Sequence, residues 1–313
     1  MNINSQFIKD LQDPVRNVSP SSLIFVAGGS IHYSNKSLEI FNWSTKTWTL
    51  HEDILFYPRQ RSFCFPYKNS VMVCGGEHSN RIEYLNIKKD PITSHTLPVS
   101  LPKSRLFPGG KGTLCGNRIL TFENSEVREI VLEPPRSSEV VASLAKYRRF
   151  YGVECFNGNI VVLGGESRTK EDHHEVKGLD IVLYYNTSTN EVKELAPLPY
   201  GVSKMATVLY RDNVIVLGGE DRSGQPLNNV IMYNITKEEN QKLPSMSQKR
   251  SACAAVIMED VIVVMGGEEV HKYYAGSRTS LKTVEYYVLG QDSWSELPPM
   301  HRERAGATAC VQE

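Results

Sequence analysis

Val261-Ile262-Val263-Val264-Met265-Gly266-Gly267 decides the fold, because this short apolar run ending in two glycines recurs along the chain. Its copies are Leu23–Gly29, Val71–Gly76, Ile160–Gly165 and Val214–Gly219. A degenerate copy, Asn117–Asn124, aligns with Asn69–Gly76 but carries Glu123-Asn124 where the glycines should stand. Counting it, the intervals are about 47, 48, 41, 54 and 48 residues. Self-similarity at a period of ~20–50 residues marks solenoids, propellers or arrays, in which each repeat is one supersecondary unit.

Each unit reads as four short strands. The runs are β-branched, too short for helices and separated by turn residues. The sixth unit shows the pattern: Ala252–Met258, Val261–Met265, Thr283–Val288 and Trp294–Leu297, then Pro298-Pro299. Paired glycines suit a strand end that turns with positive φ against a close neighbour. Aromatic residues recur at a fixed offset: Phe41 precedes Trp48 as Tyr287 precedes Trp294, while Tyr84, Tyr185 and Tyr233 fill the first aromatic place elsewhere. Such pairs fill the wedge between blades.

These residues resemble the kelch repeat, and from about Ser22 to Glu313 the chain is similar to the propeller of kelch-like (BTB–BACK–kelch) adaptor proteins. The resemblance implies an all-β fold: a six-bladed kelch β-propeller whose first blade is closed by the C-terminal strand. Arg304–Val311 resembles Arg250–Ile257, but only the latter leads into its own glycine strand, and Leu23–Gly29 lacks such a partner upstream. Closing the ring this way removes open sheet edges. Residues 1–21 then read as a linker and 22–313 as the propeller, with a degenerate third blade.

Composition narrows the function. Lys+Arg and Asp+Glu balance at 35 each, so no global field favours nucleic acid or an anionic membrane. No apolar run reaches the ~18 residues of a membrane span, and the first ten residues lack a signal-peptide core. Cys64, Cys74, Cys155, Cys253 and Cys310 lie in apolar runs without a CxxC spacing. They are expected to be buried reduced thiols of a cytoplasmic protein, with no metal or cofactor site. The adjacent His173 and His174 read as a solvated loop, since their spacing does not aim both at one ion.

The candidate site follows from the repeat. Arg61, Arg105, Arg149, Arg250 and Arg304 stand just before the innermost strands, with Ser203 in the fifth blade, and Glu77, Glu166, Glu220 and Glu268 follow the glycines. Sixfold geometry places both sets as rings at the channel mouth. Guanidinium groups grip carboxylates and phosphates in bidentate fashion, though such arginines also pair with a neighbouring blade's carboxylates. The loops bearing Tyr33, Arg168 and Tyr273 are the longest after glycine pairs and carry residue types enriched at binding hot spots.

No GxSxG, HExxH, Walker A or dinucleotide-binding pattern occurs. The leading expectation is therefore a monomeric, non-enzymatic module that binds an acidic protein or peptide. The resemblance makes it the substrate-recognition domain of a cullin-type ubiquitin ligase adaptor, whose ligase contact would come from a BTB domain absent from this chain. Two alternatives stay open. One is a kelch-propeller mutarotase, similar to those acting on sialic acid, with an acid–base site in a mouth lined by Glu and Arg. The other is an actin-associated structural kelch protein.

Overall fold

The computed structural model describes residues 18–29, 35–77, 79–101, 111–123, 126–143, 148–167, 177–274 and 276–312. It contains six four-stranded antiparallel sheets, each one blade. Blades 2 to 6 begin with the inner strands Phe63–Tyr67, Lys111–Cys115, Gly152–Phe156, Ala206–Tyr210 and Ala254–Met258. Blade 1 takes its inner strand from the other end of the chain. Thr308–Gln312 pairs with Leu23–Ala27 in the register Ala27↔Thr308 to Leu23↔Gln312, so the expected closure is present.

The glycine strands are the second strand of each blade, sandwiched between two neighbouring blades. That position explains their unbroken apolar character: every residue of Ser70–Cys74 and Val261–Met265 is buried. The first glycine of each pair makes room for the chain of the next blade. A Cβ on Gly266 would lie 2.4 Å from the Arg304 carbonyl oxygen, and one on Gly28 would lie 2.4 Å from that of Arg59. Both glycines have positive φ, so substitution would be strained as well as crowded.

Aromatic side chains join the blades. Phe41 and Trp48 stand opposite each other in register with ring centroids 4.9 Å apart. The Trp48 indole N–H donates to the Pro298 carbonyl at 2.7 Å, and that of Trp294 donates to Pro244 at 2.8 Å. Each ring thus closes its own blade and ties it to the preceding one. Val18 is buried in the cluster between blades 6 and 1, so packed chain begins upstream of Ser22.

Blade 3 keeps four strands without its glycines. Arg118–Glu123 and Glu126–Val131 form a hairpin in the register Glu123↔Glu126, which leaves only residues 124 and 125 between them. No broad loop leaves the strand there, and the paired glycines have no turn to make.

One thiol expectation is corrected. Cys155 is not free but forms a disulfide with Cys115, joining the inner strands of blades 3 and 4. The inner strands converge on the channel, which brings residues 40 positions apart in sequence into covalent reach. Cys64, Cys74, Cys253 and Cys310 are free thiols.

Candidate functional site: the channel and its mouth

Loops joining second to third strands, and fourth strands to the next blade, open on the same face of an antiparallel propeller. The sequence-derived ring was placed here, and the structure divides it. Arg250 and Arg304 are buried, with side-chain exposures of 1% and 0%. They cannot meet a partner at the mouth, which corrects that expectation. Arg59, which the sequence reading passed over in favour of Arg61, is their equivalent and is equally buried.

Each buried arginine is a clasp. The main-chain carbonyls of Arg59, Arg250 and Arg304 accept from Gly29, Gly219 and Gly267 of the preceding blade. The guanidinium groups reach forward into their own blade, to the carbonyl oxygens of Gly75, Gly266 and Gly28 and to the carboxylates of Glu83, Glu285 and Glu39. Blade 5 replaces the ion pair with Val202 and Ile231, both buried. Blade 4 keeps Arg148 but has Leu183 where the acid stands, and burial pushes the guanidinium down to about 10.

The true mouth position lies two residues further on. Arg61, Phe150, Lys204, Ala252 and Gly306 all have positive φ. Their main chains are linked in sequence around the channel: Lys204 N–H donates to Phe150, Ala252 to Lys204, Gly306 to Ala252 and Arg61 to Gly306. Three cations gather about one ring, with the Arg61 and Arg149 guanidinium carbons 4.7 and 4.8 Å from the Phe150 centroid and Lys204 Nζ at 5.7 Å.

Carboxylates balance these cations. Glu77 pairs with Arg61, Glu166 with Arg149, and Glu220 with both Lys204 (2.8 Å) and Arg278 (3.1 Å). Ser203 and Ser251 donate to Glu166 and Glu220. With Glu268 at the fourth equivalent position, the described mouth holds four carboxylates against Arg61, Arg149, Lys204 and Arg278. Among the described residues, charges of the two signs interleave around the ring. Tyr273 stands exposed at 78% on the loop of blade 6. Tyr33, Arg105 and Arg168 lie outside the described residues.

Beneath the mouth the inner strands enclose a cavity of about 450 Å³. Its walls are mostly apolar, and among the charged side chains that line it Lys111 of blade 3 and Glu154 of blade 4 stand on neighbouring inner strands, with Arg61 and Lys204 of the mouth above them. Burial pushes the Glu154 carboxyl up to about 7, opposed by a hydrogen bond from Thr207 and by the Lys111 charge. Burial also pushes the Lys111 ammonium down, and its Nζ donates to the Met205 carbonyl at 3.4 Å. Each group is thereby drawn toward its neutral form. Neither was legible in the sequence, because both stand within inner strands, Lys111 at the start of one and Glu154 in the middle of the next, where the repeat pattern carries no polar signal. No cluster of potential metal ligands occurs among the described residues.

Residues 249–301 match the Kelch motif. This match covers the sixth blade, and the recurring glycine pairs extend the kelch pattern to four more. No curated protein matches the chain in sequence. Among solved structures, the "Structure of YjhT" superposes with a TM-score of 0.70 at 15% identity, covering 82% of this chain and 88% of that one. The likeness establishes the kelch propeller fold. The expectation of a non-enzyme is withdrawn, because a likeness at 15% identity shows the fold alone and that fold excludes no activity.

Proposed function

We propose that the channel of this kelch propeller is an acid–base site that interconverts the anomers of a carboxylated sugar. The observation that carries this reading is the pair Lys111 and Glu154, set on adjacent inner strands and facing one cavity. Acid–base catalysis is most effective with groups poised near the working pH, and strongly perturbed groups in a cavity mark candidate sites. Glu154, with its carboxyl near 7, supplies a proton to the ring oxygen. Lys111, whose ammonium burial pushes toward the amine, accepts the proton of the anomeric hydroxyl in its amine form. The ring C–O bond then breaks to an open-chain carbonyl, and reclosure on the other face returns both protons.

The mouth supports a polar small molecule. Interleaved arginine and glutamate side chains offer donors and acceptors to vicinal hydroxyls, and Arg61 or Arg149 can grip a carboxylate. The six-bladed kelch fold is the one that the mutarotase alternative implied.

A second reading, a partner-docking module of the ligase-adaptor kind, is favoured by one observation. Phe56, Tyr57, Val270, Tyr273 and Tyr274 are all exposed, and all lie on loops of the mouth face. Exposed aromatic side chains of this kind anchor protein interfaces.

One experiment tests both. Anomer exchange of a carboxylated sugar, followed by NMR, should be accelerated by the protein and reduced about 10²–10⁴-fold by Glu154→Gln or Lys111→Met. No acceleration by correctly folded protein sinks the mutarotase reading. Capture of one protein by the wild type, lost in Tyr273→Ala/Tyr274→Ala but retained in Glu154→Gln, would put the docking module in its place.

A further inference from the structure

The channel holds a second pair of cysteines placed like the bonded one. The four inner strands concerned are equivalent, since each first residue stands opposite the residue that precedes the glycine pair of its blade, or its Glu123-Asn124 counterpart in blade 3: Thr308↔Ala27, Phe63↔Cys74, Lys111↔Phe122 and Gly152↔Leu163. Cys115 is the fifth residue of its strand and Cys155 the fourth of the next, and that stagger puts their Cα atoms 5.8 Å apart in a disulfide. Cys310 is the third residue of the closing strand and Cys64 the second of the strand in blade 2. The one-position stagger between neighbouring blades is the same. The two thiols interact directly, and both line the cavity. Cys64 is partly exposed there, whereas Cys310 is buried.

We propose that Cys64 and Cys310 are a dithiol site for exchange with small disulfides, and that their oxidation bonds the ring-closing strand to blade 2. The step balances without any further redox partner. The Cys64 thiolate attacks a small disulfide entering the channel, forming a mixed disulfide and releasing one thiol. The Cys310 thiolate then attacks the Cys64 sulfur, forming the Cys64–Cys310 bond and releasing the second thiol. Two protein thiols are oxidised and one small disulfide is reduced to two thiols. The closing strand, otherwise held only by pairing and packing, becomes covalently attached across a loop of roughly 250 residues, the range in which a cross-link constrains the unfolded chain most. This inference is independent of the sugar chemistry proposed for Lys111 and Glu154.

The test uses the full chain and hydroxyethyl disulfide, a probe slim enough for the cavity. Reduced protein is exposed to the probe, quenched with an alkylating reagent and mapped by mass spectrometry. The expected product is a Cys64–Cys310 linked peptide. Because the Cys64 contact and, after it, burial hold the Cys310 thiol well above its ordinary range, the linkage should form faster as pH rises from 7 to 9. Oxidation should raise the melting temperature of the wild type by several degrees more than that of Cys310→Ser, in which only Cys115–Cys155 can form. Cys64→Ser provides the same comparison if the first variant does not fold. Recovery of both sulfurs as separate alkylated or mixed-disulfide forms, after Cys115–Cys155 is complete, overturns the proposal. So does a bond from Cys64 to Cys253 in place of Cys310.

Discussion

The clasp between Arg250 and Glu285 can be replaced by a design that the chain already contains. In blade 6 the pair is almost inaccessible, with side-chain exposures of 1% and 3%, and the guanidinium meets the carboxylate at 2.8 Å. Glu285 also accepts from the Ser247 N–H at 2.8 Å, and Arg250 donates to the carbonyl oxygens of Gly266 and Thr283. Arg250→Val alone strands a buried carboxylate with one main-chain donor. Removing one partner of a buried pair costs about 3–5 kcal/mol, whereas replacing both by apolar residues is often neutral. Blade 5 uses Val202 and Ile231 at these two positions. The double variant Arg250→Val/Glu285→Ile copies that blade and should recover at least half of the single variant's loss. For a domain of this size, about 3–5 kcal/mol corresponds to a fall of roughly 5–8 °C in melting temperature. Thermal unfolding of the wild type, both single variants and the double variant completes a double-mutant cycle. If the two single losses simply add, or if Arg250→Val melts with the wild type, the clasp account is wrong.

Two further outcomes follow from the geometry. Deleting residues 305–313 removes the inner strand of blade 1 and its five-residue pairing with Leu23–Ala27, and the exposed edges should abolish the cooperative melting transition; a truncated chain that still unfolds cooperatively as a monomer would refute the closure argument. Glu154, raised to about 7 when folded, favours folding in its protonated form, so its contribution is fully present below the ordinary range near 4.5 and is lost as pH rises through about 7. Glu154→Gln should therefore melt with the wild type at pH 4.5 and be more stable at pH 8, by about 1–2 kcal/mol once channel water is allowed for; equal stability of the two proteins at pH 8 would show that the carboxyl is not perturbed.

The local repeat was legible in the chain because its causes are local. Paired glycines mark a turn with positive φ under a neighbour's carbonyl, apolar runs mark strands covered on both sides, and Arg304–Val311 advertises an inner strand with no glycine strand after it. Even the departure in blade 3 was visible, as Glu123-Asn124, although only the hairpin register shows why glycine is not needed there. What each charged residue does was not legible. Arg59 and Arg61 are two positions apart, yet one is buried against Glu83 and the other opens on the mouth beside Phe150. The left-handed turn at Arg61 reverses the direction of the side chain, and a sequence pattern does not encode that rotation. Cys115 and Cys155, or Lys111 and Glu154, belong to different blades, and nothing in their spacing along the chain relates them. Only the closed ring, by pointing six inner strands at one axis, brings such distant residues within reach and removes enough water to shift their protonation.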